Sequence, residues 1–447
     1  PGSLVAQNSL QRLLGRGFSI AACVGLVIGL GILRTPGEIA TTVNDPGLYM
    51  ALWVGCGLFV LVSLLVVAEL IAMTPRSGGI YALVAHAYGP YPGFLIGWTD
   101  WVAGCASMAL KVVVMLEYVV LLEPRLTEWQ TEVAVAISTL FALLQLRGVK
   151  VGASIQQFAS TVMGLIMIGL AIALYVAFFR NGGAVEVADV AAPTGAPGVA
   201  AFGLVIAAVV FTYDGWYAAS YFSEEVKSGG RGVAIGSIQA ALIVFALYVL
   251  LNLALVLSVP LAALIGHDLA LAEALNLAYG VGAGTTVIFA AIFILLAHQN
   301  LQYMVMSRVI YSLSQDGLGT QRATTVNDRG TPAGATILTW VVTVFLIIVG
   351  QFELLLSLVT IFFMAMYVSL VIGVFRLRKQ EPDAERPFHA WGFPATGYLC
   401  GIGWTAVAVF VSVTNPESAV YGAILIAISV PVYLYLKRHR RLGEVSN

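Results

Sequence analysis

Two glycine-containing breaks interrupt long apolar segments of this 447-residue chain, and they hold the residue types best suited to bind a ligand. The first is Ile28-Gly29-Leu30-Gly31-Ile32, and the second is Tyr213-Asp214-Gly215-Trp216. Glycine has no Cβ, so closely spaced glycines allow a helix to open. A helix that opens inside a membrane exposes backbone N–H and C=O groups that need partners. Paired breaks in the two halves of a chain predict a transporter's binding site.

The polar backbone groups of the two breaks match the charges of an α-amino acid. The helix that begins near Leu30 offers free N–H groups and the positive end of its dipole, which suit a carboxylate. The helix that ends near Val27 offers free carbonyls, which suit an ammonium group. The second break offers further carbonyls around Phe211 and Asp214. A zwitterionic amino acid therefore fits this set of donors and acceptors.

Close helix packing is the alternative explanation of the first break. Gly25 and Gly29 are four residues apart, as in the small-residue stripes of packed membrane helices. Gly29 and Gly31 do not fit that pattern, because residues two apart point about 200° apart on a helix. The second break, at the matching place in the chain, favours the binding-site interpretation.

The composition is that of a polytopic membrane protein. Hydrophobic residues make up 60% of the chain and charged residues only 10%, whereas soluble domains carry roughly 25% charged residues. The four cysteines all lie in apolar segments, where they are expected to be small buried side chains and not disulfides or metal ligands: Cys23, Cys56, Cys105 and Cys400. No metal or cofactor is expected.

Twelve apolar segments of about 20 residues are predicted to cross the membrane. Because some segments are short or closely spaced, a count of eleven or thirteen stays open. They lie near residues 18–42, 47–73, 90–122, 131–147, 152–179, 199–225, 233–259, 284–311, 333–350, 353–375, 397–413 and 418–436. Most Lys and Arg residues flank these segments on the side of the termini, and the opposite side receives only Arg34, Arg125 and Arg180. Positive charge favours the cytoplasmic side, so both termini are expected there.

The breaks lie in the first and sixth segments, which predicts two equivalent units of five helices. Because five is odd, the second unit must insert with inverted orientation. The expected fold is an all-α membrane protein with twelve transmembrane helices, a 5+5 inverted repeat and discontinuous helices one and six. The expected parts are a cytoplasmic segment 1–17, repeats 18–180 and 199–378, helices eleven and twelve at 397–436, and a cytoplasmic tail 437–447.

Three ionisable residues within the apolar segments are candidates for function. Asp214 could bind a cationic group or a proton, although a cap on the following half-helix is the favoured interpretation because Gly215 comes next. Lys111 could form an interior pair with Glu117 or extend along the helix to the interface. His298 could titrate, or remain neutral in a hydrogen bond.

Other charged residues are expected nearer the segment ends. Asp100 and Glu69 are predicted to be interfacial. A charged run after the sixth segment could form ion pairs that close the cytoplasmic side, or be a solvated helix end: Glu224, Glu225, Lys227 and Arg231.

Five motifs resemble the amino acid–polyamine–organocation transporters and occur in that family's order between about residues 18 and 390. They are Ile28-Gly29-Leu30-Gly31-Ile32-Leu33 with Pro36, Pro75-Arg76-Ser77-Gly78-Gly79-Ile80-Tyr81, Phe211-Thr212-Tyr213-Asp214-Gly215-Trp216 with Glu224-Glu225-Val226-Lys227, Asn300 with Ser307-Arg308 and Asp316-Gly317, and Arg386-Pro387-Phe388. The sixth-helix motif has the form of the L-type amino acid transporter branch. The resemblance implies the leucine-transporter-type fold.

The resemblance also implies roles for residues at matching positions. The N–H groups of Leu30 and Gly31 would hold the substrate carboxylate. The α-amine would lie on backbone carbonyls, the Phe211 ring would cover the substrate, Asn300 would face the site, and two aromatic residues would shape the pocket or pack behind it. The full expected set is Val27, Ile28, Gly29, Leu30, Gly31, Phe211, Thr212, Tyr213, Asp214, Gly215, Trp216 and Asn300.

One position departs from the L-type pattern. That branch usually carries a lysine on its fifth helix, in the place of a sodium ion near the first break. The alignment through Thr161-Val162-Met163 puts Gly164 at this position. The candidates for coupling are therefore Gly164, Lys111, Asp214 and His298.

The resemblance implies sodium-independent exchange of neutral L-amino acids by alternating access. The alternatives are a proton- or cation-coupled symporter, or a carrier of cationic amino acids or polyamines. The sequence shows no pore-lining repeat, catalytic cluster or nucleotide-binding loop, which argues against a channel, an enzyme and ATP-driven transport. The expected partners are an amino acid and the lipid bilayer of the cell (inner) membrane, with no nucleic acid and no indicated accessory subunit.

Overall fold

A computed structural model describes residues 9–187, 198–350, 352–414 and 416–445. This part of the chain is helical, and no β-strand is found within it. Its α-helices are α1 Arg16–Val27, α2 Gly31–Ala40, α3 Pro46–Met73, α4 Ile80–Tyr88, α5 Pro90–Leu122, α6 Gln130–Leu146, α7 Val149–Asn181, α8 Val199–Thr212, α9 Gly229–Ser258, α10 Ala270–Tyr279, α11 Thr285–Gln315, α12 Ala333–Val349, α13 Phe352–Gln380, α14 Ala395–Thr414 and α15 Pro416–Val445.

Many of these helices have the length and composition of membrane spans. Among the described residues eight helical stretches qualify, with α1 and α2 taken together as one of them. Two more helices, α8 and α12, are apolar but shorter. Hydrocarbon offers backbone groups no partners, so helices are the expected way for such a sequence to cross it. The chain is a multi-pass membrane protein.

Each of the twelve predicted segments coincides with a helix or a broken helix. The sequence did not predict the two short helices α4 and α10, which have nine and ten residues and precede α5 and α11. Gly89 ends α4 with φ +95° and Gly280 ends α10 with φ +98°, so the chain turns sharply after each of these two helices. Helices of this length give too short an apolar pattern to be recognised as separate elements.

The first break, residues 28–30, separates α1 from α2. The backbone of Ile28 is extended, with φ −71° and ψ 95°, and α2 begins at Gly31. The second break, residues 213–217, follows α8 and leads into a 3-10 helix, Ala218–Phe222. Gly215 lies there at φ +113°, and a Cβ on it would come within 2.9 Å of the Leu26 carbonyl carbon. The second break therefore touches the end of α1, and only glycine permits this approach.

The centre of the protein is α11. Nearly every side chain from Ala290 to Ser314 is buried, because α11 packs on α5, α7, α12 and α6 and also contacts α1. The segment before α1 is also hydrogen-bonded to the segment after the second break. Leu14 N–H donates to the Glu225 carbonyl at 2.9 Å, and Lys227 N–H donates to the Leu14 carbonyl at 2.9 Å. The site is thus formed where α1, α5, α11 and the second break meet.

Candidate substrate site

Side chains from other helices pair the carbonyls at the first break. The Tyr248 hydroxyl on α9 donates to the Val27 carbonyl at 2.9 Å. On α11, His298 Nε2 lies 3.0 Å from the Ile28 carbonyl. These are carbonyls that the broken helix leaves without intrahelical donors. Each keeps a second lone pair, so an additional donor can still be accepted.

The N–H groups at the start of α2 have a different environment. The Leu30 carbonyl accepts hydrogen bonds from the N–H groups of Leu33 and Arg34, which begins the helix. No acceptor among the described residues pairs the N–H groups of Leu30 and Gly31. Free N–H groups at the positive end of a helix form an anion site. The two N–H groups that the resemblance assigns to the substrate carboxylate therefore have no protein partner in the part of the chain that the structure describes.

Gly31 lies against the end of α8. A Cβ at this position would be 3.1 Å from Thr212 Oγ1 and 3.2 Å from its Cγ2. Thr212 Oγ1 also lies 3.0 Å from Thr35 Oγ1, so the two hydroxyls join α2 to α8. Gly29 has more room, with the His298 ring 3.5 Å from a Cβ built there. A side chain at Gly31 would push the two breaks apart.

At the second break, backbone N–H groups of the break itself pair the free carbonyls at the end of α8. Tyr213 N–H donates to the Val210 carbonyl at 3.2 Å, and Asp214 N–H donates to the Phe211 carbonyl at 3.0 Å. Asp214 Oδ2 accepts a hydrogen bond from the Tyr217 hydroxyl at 3.4 Å. Its Oδ1 is buried and has no hydrogen-bond partner in the described part of the chain. No α-helix follows for Asp214 to cap until Gly229.

A cavity of about 220 Å³ lies beside the breaks, between α1, α5, α11, α13 and the chain after α8. Its polar lining consists of two carboxylates, one ammonium and four uncharged polar side chains. These are Asp100, Asp214, Lys111, Ser107, Tyr217, Tyr221 and Gln302. The Tyr221 hydroxyl donates to Asp100 Oδ2 at 2.8 Å. Asp100, which the sequence predicts to be interfacial, lies within α5 and lines this cavity. Charged groups buried in a membrane protein are costly and usually functional.

Lys111 connects this cavity to the first break. Its Nζ lies 3.1 Å from His298 Nδ1 and donates to Gln302 Oε1 at 2.8 Å. The predicted pair with Glu117 is not formed, since Lys111 bonds to α11 and the Glu117 side chain is exposed. A carbonyl can only accept, so the proton of His298 lies on Nε2, and Nδ1 accepts from the Lys111 ammonium. Of the two alternatives that the sequence left open for His298, this arrangement corresponds to the neutral, hydrogen-bonded one.

Asn300 does not line the cavity. It is fully buried on the opposite face of α11, where its Nδ2 donates to Gln156 Oε1 at 3.0 Å and its Oδ1 accepts from Gln145 at 2.8 Å. Residues 298 and 302 share one face, while residue 300 points about 200° away from residue 298. Asn300 thus joins α11 to α6 and α7.

Gly164 is also outside the cavity lining. It lies on α7, and no heavy atom is within 4 Å of a Cβ built on it. The contact of α7 with α1 is made instead by Ser160, whose hydroxyl donates to the Ala21 carbonyl at 2.7 Å. Gln156 lies against Gly25, where a Cβ would be 2.1 Å from Gln156 Nε2.

The aromatic residues of the second break pack behind the site. The Tyr213 hydroxyl donates to the Trp53 carbonyl at 3.1 Å, and its ring lies 5.1 Å from that of Tyr248. Trp216 is buried against Tyr217 and Tyr367. Neither Tyr213 nor Trp216 lines the cavity, and the half-buried ring of Phe211 does not line it either.

A buried ion pair and two hydrogen bonds hold the charged run that follows the second break. Arg308 makes two hydrogen bonds to the Glu225 carboxylate at 2.9 and 3.0 Å, and both side chains are buried. Glu224 exchanges hydrogen bonds with Ser77, from Ser77 N–H to its Oε1 and from its own N–H to Ser77 Oγ, both at 3.2 Å. The ion-pair interpretation of this charged run is confirmed for Glu225.

Glu69, near the end of α3, is another buried charge. Its carboxylate accepts hydrogen bonds from Arg378 at 2.8 and 2.6 Å and from Arg386 at 3.2 Å. Ala390 N–H donates to it as well, at 2.8 Å. Two guanidinium groups and a backbone donor compensate for its removal from water. This cluster joins α3 to α13 and lies outside the cavity.

Sequence reasoning missed five polar residues that line the cavity: Asp100, Ser107, Tyr217, Tyr221 and Gln302. Two signals could have found three of them. Gln302 follows His298 by four residues on one helix, and residues four apart share a face. Tyr217 and Tyr221 are also four apart and directly follow the second break. Their contact with Asp100 of α5 depends on tertiary packing.

The sequence is similar to those of known membrane transporters over nearly its whole length. The family model described as "Amino acid permease" matches residues 18–434. The b(0,+)-type amino acid transporter 1 of Oryctolagus cuniculus is 25% identical over 443 residues, which covers 96% of this chain and 88% of that protein. The serine/threonine exchanger SteT of Bacillus subtilis is 23% identical over 448 residues, covering 97% and 98%.

A third relative has a name that implies ion coupling. The aspartate-proton symporter of Bacillus subtilis is 25% identical over 459 residues, covering 98% of this chain and 86% of that protein. These relatives are amino acid transporters and not enzymes. The match to the family model extends over nearly the whole sequence and includes both breaks. The chain belongs to the amino acid permease family, within the amino acid–polyamine–organocation superfamily of membrane transporters.

Proposed function

We propose that this protein exchanges neutral L-amino acids across the cell (inner) membrane, without sodium, by alternating access. The observation that supports this most directly is the start of α2, where the N–H groups of Leu30 and Gly31 have no acceptor among the described residues. They would bind the substrate carboxylate, and Asp214 with the carbonyls of the breaks would bind the ammonium group. The adjoining cavity would take the side chain, since Leu26 at the end of α1 and Asp214 of the second break both line it.

Independence from sodium is supported by the carbonyls of the first break. An unpaired carbonyl in the membrane needs a donor or a cation. Tyr248 and His298 supply donors to Val27 and Ile28, so these oxygens have a partner without a metal ion. Two of the relatives are named as a transporter and an exchanger of amino acids, which favours exchange.

The finer architecture belongs to the same proposal. Twelve spans, arranged as inverted repeats 18–180 and 199–378, would place equivalent helices on either side of the substrate. The short helices α4 and α10 support this, because each lies between the second and third spans of its repeat. The pattern of Lys and Arg places both termini in the cytoplasm, with the segment 1–17, helices at 397–436 and the tail 437–447 outside the repeats.

Transport into proteoliposomes tests the proposal. Vesicles would be loaded with one unlabelled amino acid, and uptake measured for a labelled panel of neutral, cationic and acidic amino acids. We expect uptake of neutral amino acids that requires an internal amino acid and is unchanged when choline replaces sodium. Uptake that ignores the internal amino acid and follows an imposed ion gradient would contradict exchange.

Proton-coupled symport is the second candidate, and the charges of the cavity favour it. Two carboxylates, Asp100 and Asp214, face one ammonium, Lys111. A buried excess of negative charge is stabilised by a proton or a cationic substrate. Uptake driven by an inward proton gradient into amino acid-free vesicles would support a proton, and preference for cationic amino acids or polyamines would support a cationic substrate.

A further inference from the structure

We propose that the Lys111 ammonium is a positioning residue for the first break: through His298 it holds the Ile28 carbonyl, and it thereby keeps the N–H groups of Leu30 and Gly31 directed at the substrate. This inference rests on the proposed binding of an amino acid at the break. It adds a resident cation on α5, a helix that contributes no residue to either break.

The contacts form a continuous path from the cavity to the backbone. Lys111 Nζ is 3.1 Å from His298 Nδ1, and His298 Nε2 is 3.0 Å from the Ile28 carbonyl oxygen. Gln302 receives a second hydrogen bond from Lys111 at 2.8 Å, which fixes the ammonium on the face of α11 that carries His298. An ammonium only donates, so it selects the His298 tautomer whose Nε2 proton points at Ile28.

The geometry explains why this carbonyl matters. Ile28 is the residue at which the backbone leaves α1, and its N–H still bonds to the Val24 carbonyl at 2.9 Å. Its own carbonyl has no backbone donor, because the chain turns away before α2. His298 is the group that replaces the missing donor. Without it, the peptide between Ile28 and Gly29 could rotate, and the N–H groups that follow would lose their common direction.

A polarised donor gives a stronger bond than a neutral one. The charge of Lys111 on Nδ1 increases the acidity of the Nε2 proton and strengthens the hydrogen bond to Ile28. Asp214 of the second break lines the same cavity as the Lys111 ammonium, and opposite charges in one buried cavity attract each other. Lys111 thus contacts the first break through His298 and shares a cavity with the second break.

Variants at both positions test the path. Lys111→Met removes the charge, and His298→Phe removes both ring nitrogens. Each should raise the KM for exchange by about 10- to 100-fold, the worth of a buried hydrogen bond to a charged group, with a nearly unchanged maximal rate. The double variant should be no worse than His298→Phe alone, because the two residues act in series. Lys150→Met, at an exposed lysine of α7, is the control.

Conservative variants separate positioning from simple packing. His298→Gln can donate to Ile28 and accept from Lys111, and Lys111→Arg keeps the charge, so both should recover most of the lost affinity. Equal defects in His298→Gln and His298→Phe would overturn the proposal, and so would a Lys111→Met protein with the wild-type KM. If Lys111→Met does not yield monodisperse protein, the comparison of His298→Gln with His298→Phe decides alone.

A measurement without substrate distinguishes this inference from the proposed function. Amide hydrogen exchange of the purified protein reports the N–H groups of Ile28, Leu33 and Arg34, which bond around the break. We expect faster exchange there in Lys111→Met than in Lys150→Met. Unchanged exchange rates would overturn the positioning role whatever the substrate is. A wild-type protein that transports no amino acid would instead overturn the proposed function.

Discussion

The two breaks satisfy the same need in opposite ways. In the first break, side chains from α9 and α11 pair the carbonyls of Val27 and Ile28, and the N–H groups of Leu30 and Gly31 have no acceptor among the described residues. In the second break, the backbone turns back on itself to pair the carbonyls of Val210 and Phe211. Two groups there lack a full set of partners in the described part of the chain, the Trp216 indole N–H and the Asp214 carboxylate, and Asp214 is the one that lines the cavity.

Under the proposed function, this difference assigns the two charged groups of an amino acid to different breaks. The first break supplies hydrogen-bond donors and the positive end of a helix, which attract a carboxylate. The second supplies an acidic side chain, which attracts an ammonium group. The motif resemblance implied carbonyls at both breaks for the amine, but the structure gives the Phe211 carbonyl a backbone donor. The second break thus contributes mainly through a side chain.

The largest effect is expected at the donor side of this comparison. Gly31→Val should weaken substrate binding by about 100-fold or more, because two hydrogen bonds to a carboxylate are worth about 1.5–3 kcal/mol each. The new side chain would collide with Thr212. Binding is measured as the substrate-induced rise in melting temperature. Gly169→Val, where a Cβ meets nothing within 4 Å, is the matched control. Unchanged affinity in Gly31→Val would remove the first break from the site.

The acidic side should give the next effect. Asp214→Asn keeps the shape and an acceptor for Tyr217 but removes the charge, so KM should rise about 10- to 100-fold through the lost attraction to the ammonium group. Exchange kinetics in proteoliposomes measure this. Asp268→Asn, at an exposed aspartate that pairs with Arg34, should match wild type. A normal KM combined with loss of proton-driven uptake would assign Asp214 to coupling and not to the amine.

A smaller effect should follow from freeing one carbonyl of the first break. Tyr248→Phe removes the hydroxyl that donates to Val27 and leaves a buried acceptor unpaired, which costs about 1–2 kcal/mol. We expect a lower melting temperature in detergent and no gain from added sodium. Tyr398→Phe, at an exposed ring, is the control. Rescue of Tyr248→Phe by sodium but not by choline would show that a metal ion can replace the hydroxyl.

The smallest effect concerns the contact between the flanks of the two breaks. Thr35→Val removes one hydroxyl of the Thr35–Thr212 pair, while Thr212 still donates to the Ala208 carbonyl at 2.8 Å. The cost should stay below about 1 kcal/mol, seen as a less than about fivefold change in exchange rate. Thr41→Val, at the exposed end of α2, provides the baseline. A larger loss would mean that the hydroxyl pair itself binds substrate.

The helices and the first break could be predicted from the sequence because their causes are local. Apolar length defines a span, and Gly29 with Gly31 marks the place where α1 opens. Helices α4 and α10 were not predicted because they are too short to give a recognisable apolar pattern. Their positions became visible only through the turns at Gly89 and Gly280.

The partners of the break depend on tertiary packing and could not be predicted in the same way. Tyr248 and Lys111 lie far from residue 28 in sequence, and nothing in their own neighbourhoods indicates which carbonyl or ring they contact. Asn300 shows the opposite error. The family motif placed it at the site, while helical periodicity puts His298 and Gln302 on the cavity face and Asn300 behind it.

The bridge between Leu14 and the chain after the second break makes the start of α1 a place to observe motion. Two backbone hydrogen bonds tie Leu14 to residues 225 and 227, and Glu225 is held in turn by Arg308. Any displacement of α1 must either break these two hydrogen bonds or move residues 225–227 together with α1. A spectroscopic label at Gln11, paired with one on exposed Lys227, would report that choice directly as a distance that changes or stays fixed.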